Sequence, residues 1–414
     1  MKRIFALAIV LLLSTAASAQ VSAYKFGKGL QIYGKDSSFH MKFGMRFQNL
    51  FSNEWDVQND DLGNIGNYDA NFLVRRSRLK FNGYAFTPKL KWKVELGLTN
   101  RDISGGDTPE HKNVARMILD AWVDWNFAGN FALKVGQGKL PGNRERVISS
   151  GNLQFVDRSR VNSRFNIDRD FGLQLTHHYT FGKNFYIKKW AALTQGEGRD
   201  ITAGFNGGFD YTFRVEMLPM GKFKSKGDYV GASIKKEEKP KLSIGATYDI
   251  NTNSIRQRGQ LGSFITDANG DYVGKTLKTV FIDMMFKYKG FSMMAEFADK
   301  KTADGDFVAY DDNGFGVGQF YTGKGLNVQA GYLFDNNCEF ALRMTSIRPD
   351  HRIDASVGAN ENEYGIGFSK YFVGHKLKVQ TDLNYRQRYV YGSTAPNQGS
   401  NDKLYWRVQM DLHF

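Results

Sequence analysis

Residues 404–414 read LYWRVQMDLHF, and every second position of that stretch is apolar: Leu404, Trp406, Val408, Met410, Leu412 and Phe414. The positions between them are Tyr405, Arg407, Gln409, Asp411 and His413, with Lys403 before them. Side chains alternate across a strand with a period of two, so one face of this strand is apolar and the other carries charge. Such a strand separates a greasy medium from a wet one.

Working back from it, the same alternation recurs near 38–50, 70–86, 89–100, 114–127, 130–137, 169–180, 184–194 and 208–218. It continues near 240–250, 276–289, 290–300, 325–335, 338–348, 361–373, 376–390 and 402–414. The pattern predicts an all-β fold: a transmembrane antiparallel β-barrel of about 16 strands, an even number as bacterial barrels require. Connections give a second signal. Short links with turn-forming residues, such as Thr87-Pro88, Ala128-Gly129, Phe181-Gly182-Lys183, Lys289-Gly290 and Asp335-Asn336-Asn337, take turns with long polar excursions. The excursions include 51–69, 138–168, 251–275, 301–324 and 391–401, the asymmetry of periplasmic turns against extracellular loops. The link 219–239 breaks the alternation, being long and Lys-rich where a short turn is expected.

The first residues carry a basic start (Lys2, Arg3), an apolar run from Ile4 to Leu13 and the small-residue stretch Ala17-Ser18-Ala19 before Gln20. This is the pattern of a cleavable signal peptide, and a spanning helix needs about twenty apolar residues. The expected organisation is a signal peptide at 1–19, a periplasmic leader at 20–37 and a barrel over 38–414 in the bacterial outer membrane. Loss of Lys2 and Arg3 would lower the formal net charge of +14 by two, leaving a protein that attracts anions. Nucleic acid is the usual competing partner for such a charge, and export to the envelope argues against it. Cys338 is the only cysteine, which excludes an intramolecular disulfide. An aromatic residue ending the last strand resembles the signal that outer-membrane proteins present to the barrel-assembly machinery, so Phe414 is assigned that partner.

About sixteen strands leave an aqueous channel. With the apolar set of each strand turned to lipid, the other set lines the pore. His40, Lys42 and Arg46 then face inward on the first strand, Arg76, Arg78 and Lys80 on the second, and Lys376, Lys378, Asp382, Arg386 and Arg388 on the fifteenth. Arg or Lys on the lipid face near the midplane would cost roughly 2–4 kcal/mol, which fixes the direction. Cations lining a pore raise the local anion concentration, the expected partners being small anionic solutes such as phosphate. A blander role is wall hydration, since exposed charges are screened within about 8 Å at physiological salt. The excursion 138–168 holds Lys139, Arg144, Arg146, Arg158, Arg160 and Arg164. Its apolar Leu153, Phe155 and Val156 need a surface to bury against, which points to a loop folded inward.

At this point the residues resemble the phosphate-selective porin O and P family. The stretch Phe72-Leu73-Val74-Arg75-Arg76-Ser77-Arg78-Leu79 looks like that family's basic second strand. VGQGKLPGNRERVISSGNLQFVDRS, from Val135 to Ser159, resembles its third loop, and Arg169-Asp170-Phe171-Gly172 the strand that follows. The resemblance implies a sixteen-stranded barrel, a homotrimer, inward loops and a basic constriction that binds oxyanions. On matching positions the anion contacts are Arg76, Arg78, Lys139, Arg144 and Arg146, with Lys80 next on the same strand. Arg158 either meets the solute or pairs with Asp157 to hold the loop. The sequence departs from the family at Gly138 and Gly142, where aromatic residues are expected, and Glu145 dilutes the positive field.

The rival readings are a general, non-selective diffusion porin, a non-conducting scaffold or adhesin barrel, and a barrel enzyme. His177 and His178 lie near Ser and Asp residues, but no nucleophile elbow and no HExxH spacing accompanies them, so no catalytic residue is assigned. Asp267, Asn269 and Asp271 alternate as a calcium loop would, yet no bidentate Glu follows at EF-hand distance, and no metal or cofactor is expected.

Overall fold

The computed structural model describes residues 20–22, 26–58, 61–103, 109–112, 114, 116–182, 184–202, 208–354, 358–389 and 402–414. The expected signal peptide and the loop 391–401 lie outside the described residues.

Sixteen strands close a barrel. They are β3 (Phe39–Val57), β4 (Ile65–Ala85), β5 (Thr87–Gly97), β6 (Ile118–Ala128), β7 (Phe131–Lys139), β8 (Arg169–Phe181), β9 (Phe185–Thr194) and β10 (Asp210–Leu218). There follow β11 (Lys241–Ser254), β12 (Lys275–Tyr288), β13 (Phe291–Thr302), β16 (Gly323–Leu333), β17 (Cys338–Pro349), β18 (Asn360–Tyr371), β19 (Leu377–Tyr389) and β20 (Asp402–His413). Each pairs antiparallel with the next, and β20 returns to β3 from Asp402↔Val57 to His413↔Arg46. All sixteen fall on the alternating segments. A small hairpin, β14 (Val308–Tyr310) and β15 (Gly316–Gln319), decorates one long loop.

Burial follows the alternation with the polarity of a soluble protein inverted. On β10 the buried side chains are Asp210, Thr212, Arg214, Glu216 and Leu218, and the exposed ones between them include Tyr211, Phe213, Val215 and Met217. Lipid is the solvent for that outer face, and a one-residue slip would turn Arg214 and Glu216 into hydrocarbon. Aromatic residues sit at the short-turn end: Phe86, Phe181, Phe334 and Phe372 are all exposed there, as an interfacial belt requires. Phe86 forms the whole link between β4 and β5 with φ of +63°, a conformation that a bulky side chain tolerates only in so tight a turn.

Two short strands, β1 (Gln20–Ser22) and β2 (Leu30–Tyr33), precede the barrel, in the region expected as a leader. β2 pairs with the start of β3, from Leu30↔Phe43 to Tyr33↔His40. β20 stops at Arg46, so β2 covers the stretch of β3 edge that β20 leaves open.

The lumen is not empty. The segment 140–168 lies inside it, and so does the anomalous link 219–239. Leu140, Val161, Phe165 and Ile167 pack on Ala192, Phe281, Ala298, Tyr321 and Ile347 of the wall and the long-loop end. Lower down, Ile148 and Leu153 meet Tyr186, Leu218, Phe223, Met285 and Met294, with Tyr229 against them. The 219–239 link thus supplies Phe223 and Tyr229 as a floor for the loop. Its Gly231 N–H donates to the Asn152 carbonyl at 2.8 Å, and a Cβ on Gly231 would stand 2.6 Å from the Gln154 nitrogen. Only glycine allows that approach. The length that made 219–239 anomalous as a turn is what lets it reach the loop.

Candidate functional site

The inward segment is built to hold one shape. Ser159 caps the short helix Arg160–Phe165, its hydroxyl accepting from the Asn162 N–H. The Glu145 carboxylate accepts in turn from the Ser159 N–H and hydroxyl, tying the two halves of the segment together. Arg144 is fully buried. It donates to Asp283 at 2.7 Å, to Ser243 and to the Asp228 carbonyl, and Glu216 lies 3.5 Å away. Arg214 bridges the same two carboxylates, each at 2.7 Å. Two arginines and two carboxylates therefore satisfy one another where water does not reach.

Between the other side of this segment and the wall formed by β3, β4 and β17–β20 runs a passage of about 950 Å³. Among the described residues its lining holds fourteen arginines, no lysine and six carboxylates. β4 contributes Arg75, Arg76 and Arg78, the loop segment Arg146, Arg158, Arg160 and Arg164, the start of β8 Arg169, and the far wall Arg343, Arg386 and Arg407; Arg101, Arg199 and Arg258 complete the set. Arginine alone presents a planar, permanently charged donor fork matched to oxyanions.

Strict alternation would send Arg75 to lipid, opposite in sense to Arg76. The ladder of β3 and β4 slips there: Gln48 pairs with Arg76 and Asn49 with Val74, leaving Arg75 as the extra residue of a bulge. Both arginines are buried on the lumen side, and both reach Asp157 of the loop, at 2.7 and 3.4 Å. Arg407 approaches the same carboxylate at 3.4 Å. Asp157 is thus a single negative charge among three wall arginines. Replacing it by asparagine is expected to raise the chloride-over-potassium permeability ratio about fivefold, since one charge at contact distance in water is worth about 1 kcal/mol. A zero-current potential in a salt gradient reads that ratio.

The seven residues singled out from the sequence separate into two groups. Arg76, Arg78, Arg146 and Arg158 line the passage. Arg78 is held by Asp102 at 2.6 Å and Glu95 at 3.2 Å, and Arg146 pairs with Asp168. Arg158 does not pair with Asp157; it donates to the carbonyls of Glu145 and Ile148 and forms no ion pair among the described residues. Lys80 lies outside the passage, farther down β4 toward the short-turn end, half-exposed and 3.5 Å from Glu95. Lys139 and Arg144 are corrections: Lys139 spends its ammonium on the carbonyls of Arg146, Val147 and Ile148, and Arg144 is sealed in the network above. Both hold the segment, and the fully buried Arg144 is closed to a solute. Gly142, where an aromatic residue was expected, has no room for one, because a Cβ there would stand 2.3 Å from Ile167.

Residues not singled out include Arg75, Arg101, Arg343 and Arg407. Arg343 and Arg407 lie on the polar sets of their strands and were legible by alternation, whereas Arg75 needed the bulge. Arg116, within the alternating segment 114–127, stands in the loop before β6.

Comparison with known proteins bears on both fold and family. An uncharacterised protein of Aquifex aeolicus (strain VF5) is 23% identical over 366 residues, taking in 83% of this chain and 81% of that one. Among solved structures, the outer membrane channel DcaP of Acinetobacter baumannii matches with a TM-score of 0.52 at 14% identity, over 92% of this chain and 99% of that one. Salmonella typhi OmpF, in complex with daunomycin, matches with a TM-score of 0.54 at 13% identity, over 93% and 100%. The trimer form of Vibrio cholerae OmpT gives 0.50 at 9% identity, over 91% and 100%. These likenesses establish the porin fold. The family model for phosphate-selective porin O and P matches residues 47–414, nearly the whole chain. The chain is an outer-membrane porin and belongs to the phosphate-selective porin O and P family.

Proposed function

We propose that this porin passes small anionic solutes, phosphate or other oxyanions, by passive diffusion through the arginine-lined passage, with Arg76, Arg78, Arg146 and Arg158 among the residues that meet them. The observation that carries this reading is the composition of the lining, fourteen arginines against six carboxylates. Such a wall concentrates anions and repels cations. Lys80, on the same inward row below the passage, extends the positive surface toward the short-turn end.

The test is the zero-current potential of the purified protein in a planar bilayer under a KCl gradient, repeated with phosphate added. A chloride-favouring potential with saturable block by phosphate is expected. A potential near zero without block would leave a general diffusion porin, and no conductance would favour a scaffold. We also propose a homotrimer, as the family resemblance implies and as OmpT has been seen in a trimer form; sizing in detergent with cross-linking reads it. Phe414 is proposed to address the chain to the barrel-assembly machinery, and residues 1–19 to be the cleaved export signal.

A further inference from the structure

The passage has a side recess of different chemistry. A cavity of about 700 Å³ opens off it toward the long-loop end, sharing Asp168, Arg169, Arg199 and Leu261 with the passage lining. Among the described residues the only aromatic one lining the passage is Tyr405. The recess instead gathers three rings: the Phe264 centroid lies 6.1 Å from that of His111 and 6.1 Å from that of Tyr272. Burial, with the charges of Arg116 and Arg256, drops the His111 imidazole to about 4, so its ring is neutral at pH 7.

Four arginines, Arg116, Arg169, Arg199 and Arg256, stand beside the rings against three carboxylates, Glu110, Asp168 and Asp200, and Glu110 accepts from the Tyr272 hydroxyl at 2.7 Å. The Arg256 guanidinium lies 4.8 Å from the Phe264 centroid and donates to the carbonyls of Glu197, Gln260 and Gly262. Arg116 makes no ion pair among the described residues, and its Nη2 is buried without a hydrogen-bond partner. A volume of this size with an aromatic wall and a few convergent polar groups is the usual form of a small-molecule site.

We propose that this recess is a binding subsite for an oxyanion carried on a ring, the ring lying against Phe264 and Tyr272 and the anionic group meeting Arg116. It rests on the anion-favouring reading of the passage and narrows its solute class from inorganic phosphate to ring-bearing organic oxyanions. Phosphate alone would use the arginine wall and have no use for the rings. A ring with its charge attached would use both, and stacking on an aromatic face adds to affinity independently of the charge.

Phenyl phosphate and methyl phosphate carry the same headgroup and differ in the ring, so block of single-channel current by each isolates the subsite. In the native protein phenyl phosphate is expected to block at about tenfold lower concentration than methyl phosphate. In Phe264→Ala the two should fall within about twofold, with methyl phosphate block unchanged, and Tyr272→Ala should move in the same direction. Arg116→Gln should weaken phenyl phosphate block while leaving the chloride preference in place. Equal block by both esters in an anion-selective native channel would overturn the subsite and leave the passage reading intact. Loss of anion preference itself would overturn both.

Discussion

Replacing Arg144 by alanine is expected to destabilise the folded barrel by about 3–5 kcal/mol, the cost of leaving buried carboxylates without their cation. Asp283 would then keep Arg214, and Glu216 would keep Arg214, the Tyr229 hydroxyl and Lys188 at 3.5 Å, in a buried site. Arg144→Lys should recover only part of the loss, because one ammonium cannot reach Asp283, Ser243 and the Asp228 carbonyl together. Guanidinium unfolding in detergent, followed by tryptophan fluorescence, measures the change. The same variant should show a larger single-channel conductance, since the inward segment loses its tie to β11, β12 and the 219–239 floor. A loss below about 1 kcal/mol would show that the network is wetter than its burial implies.

The second large effect concerns selectivity. Three passage arginines meet no carboxylate among the described residues: Arg158 and Arg258 donate to carbonyl oxygens, and Arg386 forms no ion pair. The other cations there are mostly balanced, as Arg343 is by Glu363 and Arg160 and Arg164 are by Glu361. The triple variant Arg158→Gln, Arg258→Gln, Arg386→Gln removes uncompensated charge and keeps side-chain volume close to its original value. One such charge contributes about 1 kcal/mol at contact distance in water, or about fivefold. Screening lowers the product of three such factors, so a fall of at least about tenfold in the chloride-over-potassium ratio is expected. Conductance should stay within about twofold. An unchanged ratio would assign selectivity to the paired arginines, whose guanidinium forks would have to exchange a carboxylate for the solute.

The barrel was legible because its physics is local. A strand between lipid and water must alternate, and LYWRVQMDLHF alternates without a break, so strand number, closure and inward direction follow from a period of two. The parts that were not legible depend on long-range contact. Arg75 turns inward through a one-residue slip against Gln48 and Asn49, which the β4 sequence alone does not reveal. Arg144 and Arg146 are two apart in a run of the same composition, yet one is sealed against Asp283 and the other lines the passage. The partners of Arg144 come from β10, β11, β12 and the 219–239 link, while Arg146 pairs with Asp168 at the end of its own segment. The link 219–239 had no reading as a turn because its purpose lies in the lumen, where Phe223 and Gly231 meet the loop.

The inward segment divides the circumference into two arcs with different duties. Arg144, Glu145 and Gln154 are anchored on β11–β13, β16 and β17, through Ser243, Asp283, Ser292, Glu296, Gln329 and Glu339. The passage draws its wall from β3, β4 and β17–β20, across the seam where the chain's first and last long strands meet. Arg386, which forms no ion pair among the described residues, can therefore change without disturbing the buried network around Arg144, whereas Arg407 also holds the loop through Asp157 and Asp382. A lineage of such channels is free to explore new cargo at positions like Arg386 while Arg144, Asp283 and Glu216 preserve the architecture, so inherited shape and acquired taste need not compete there.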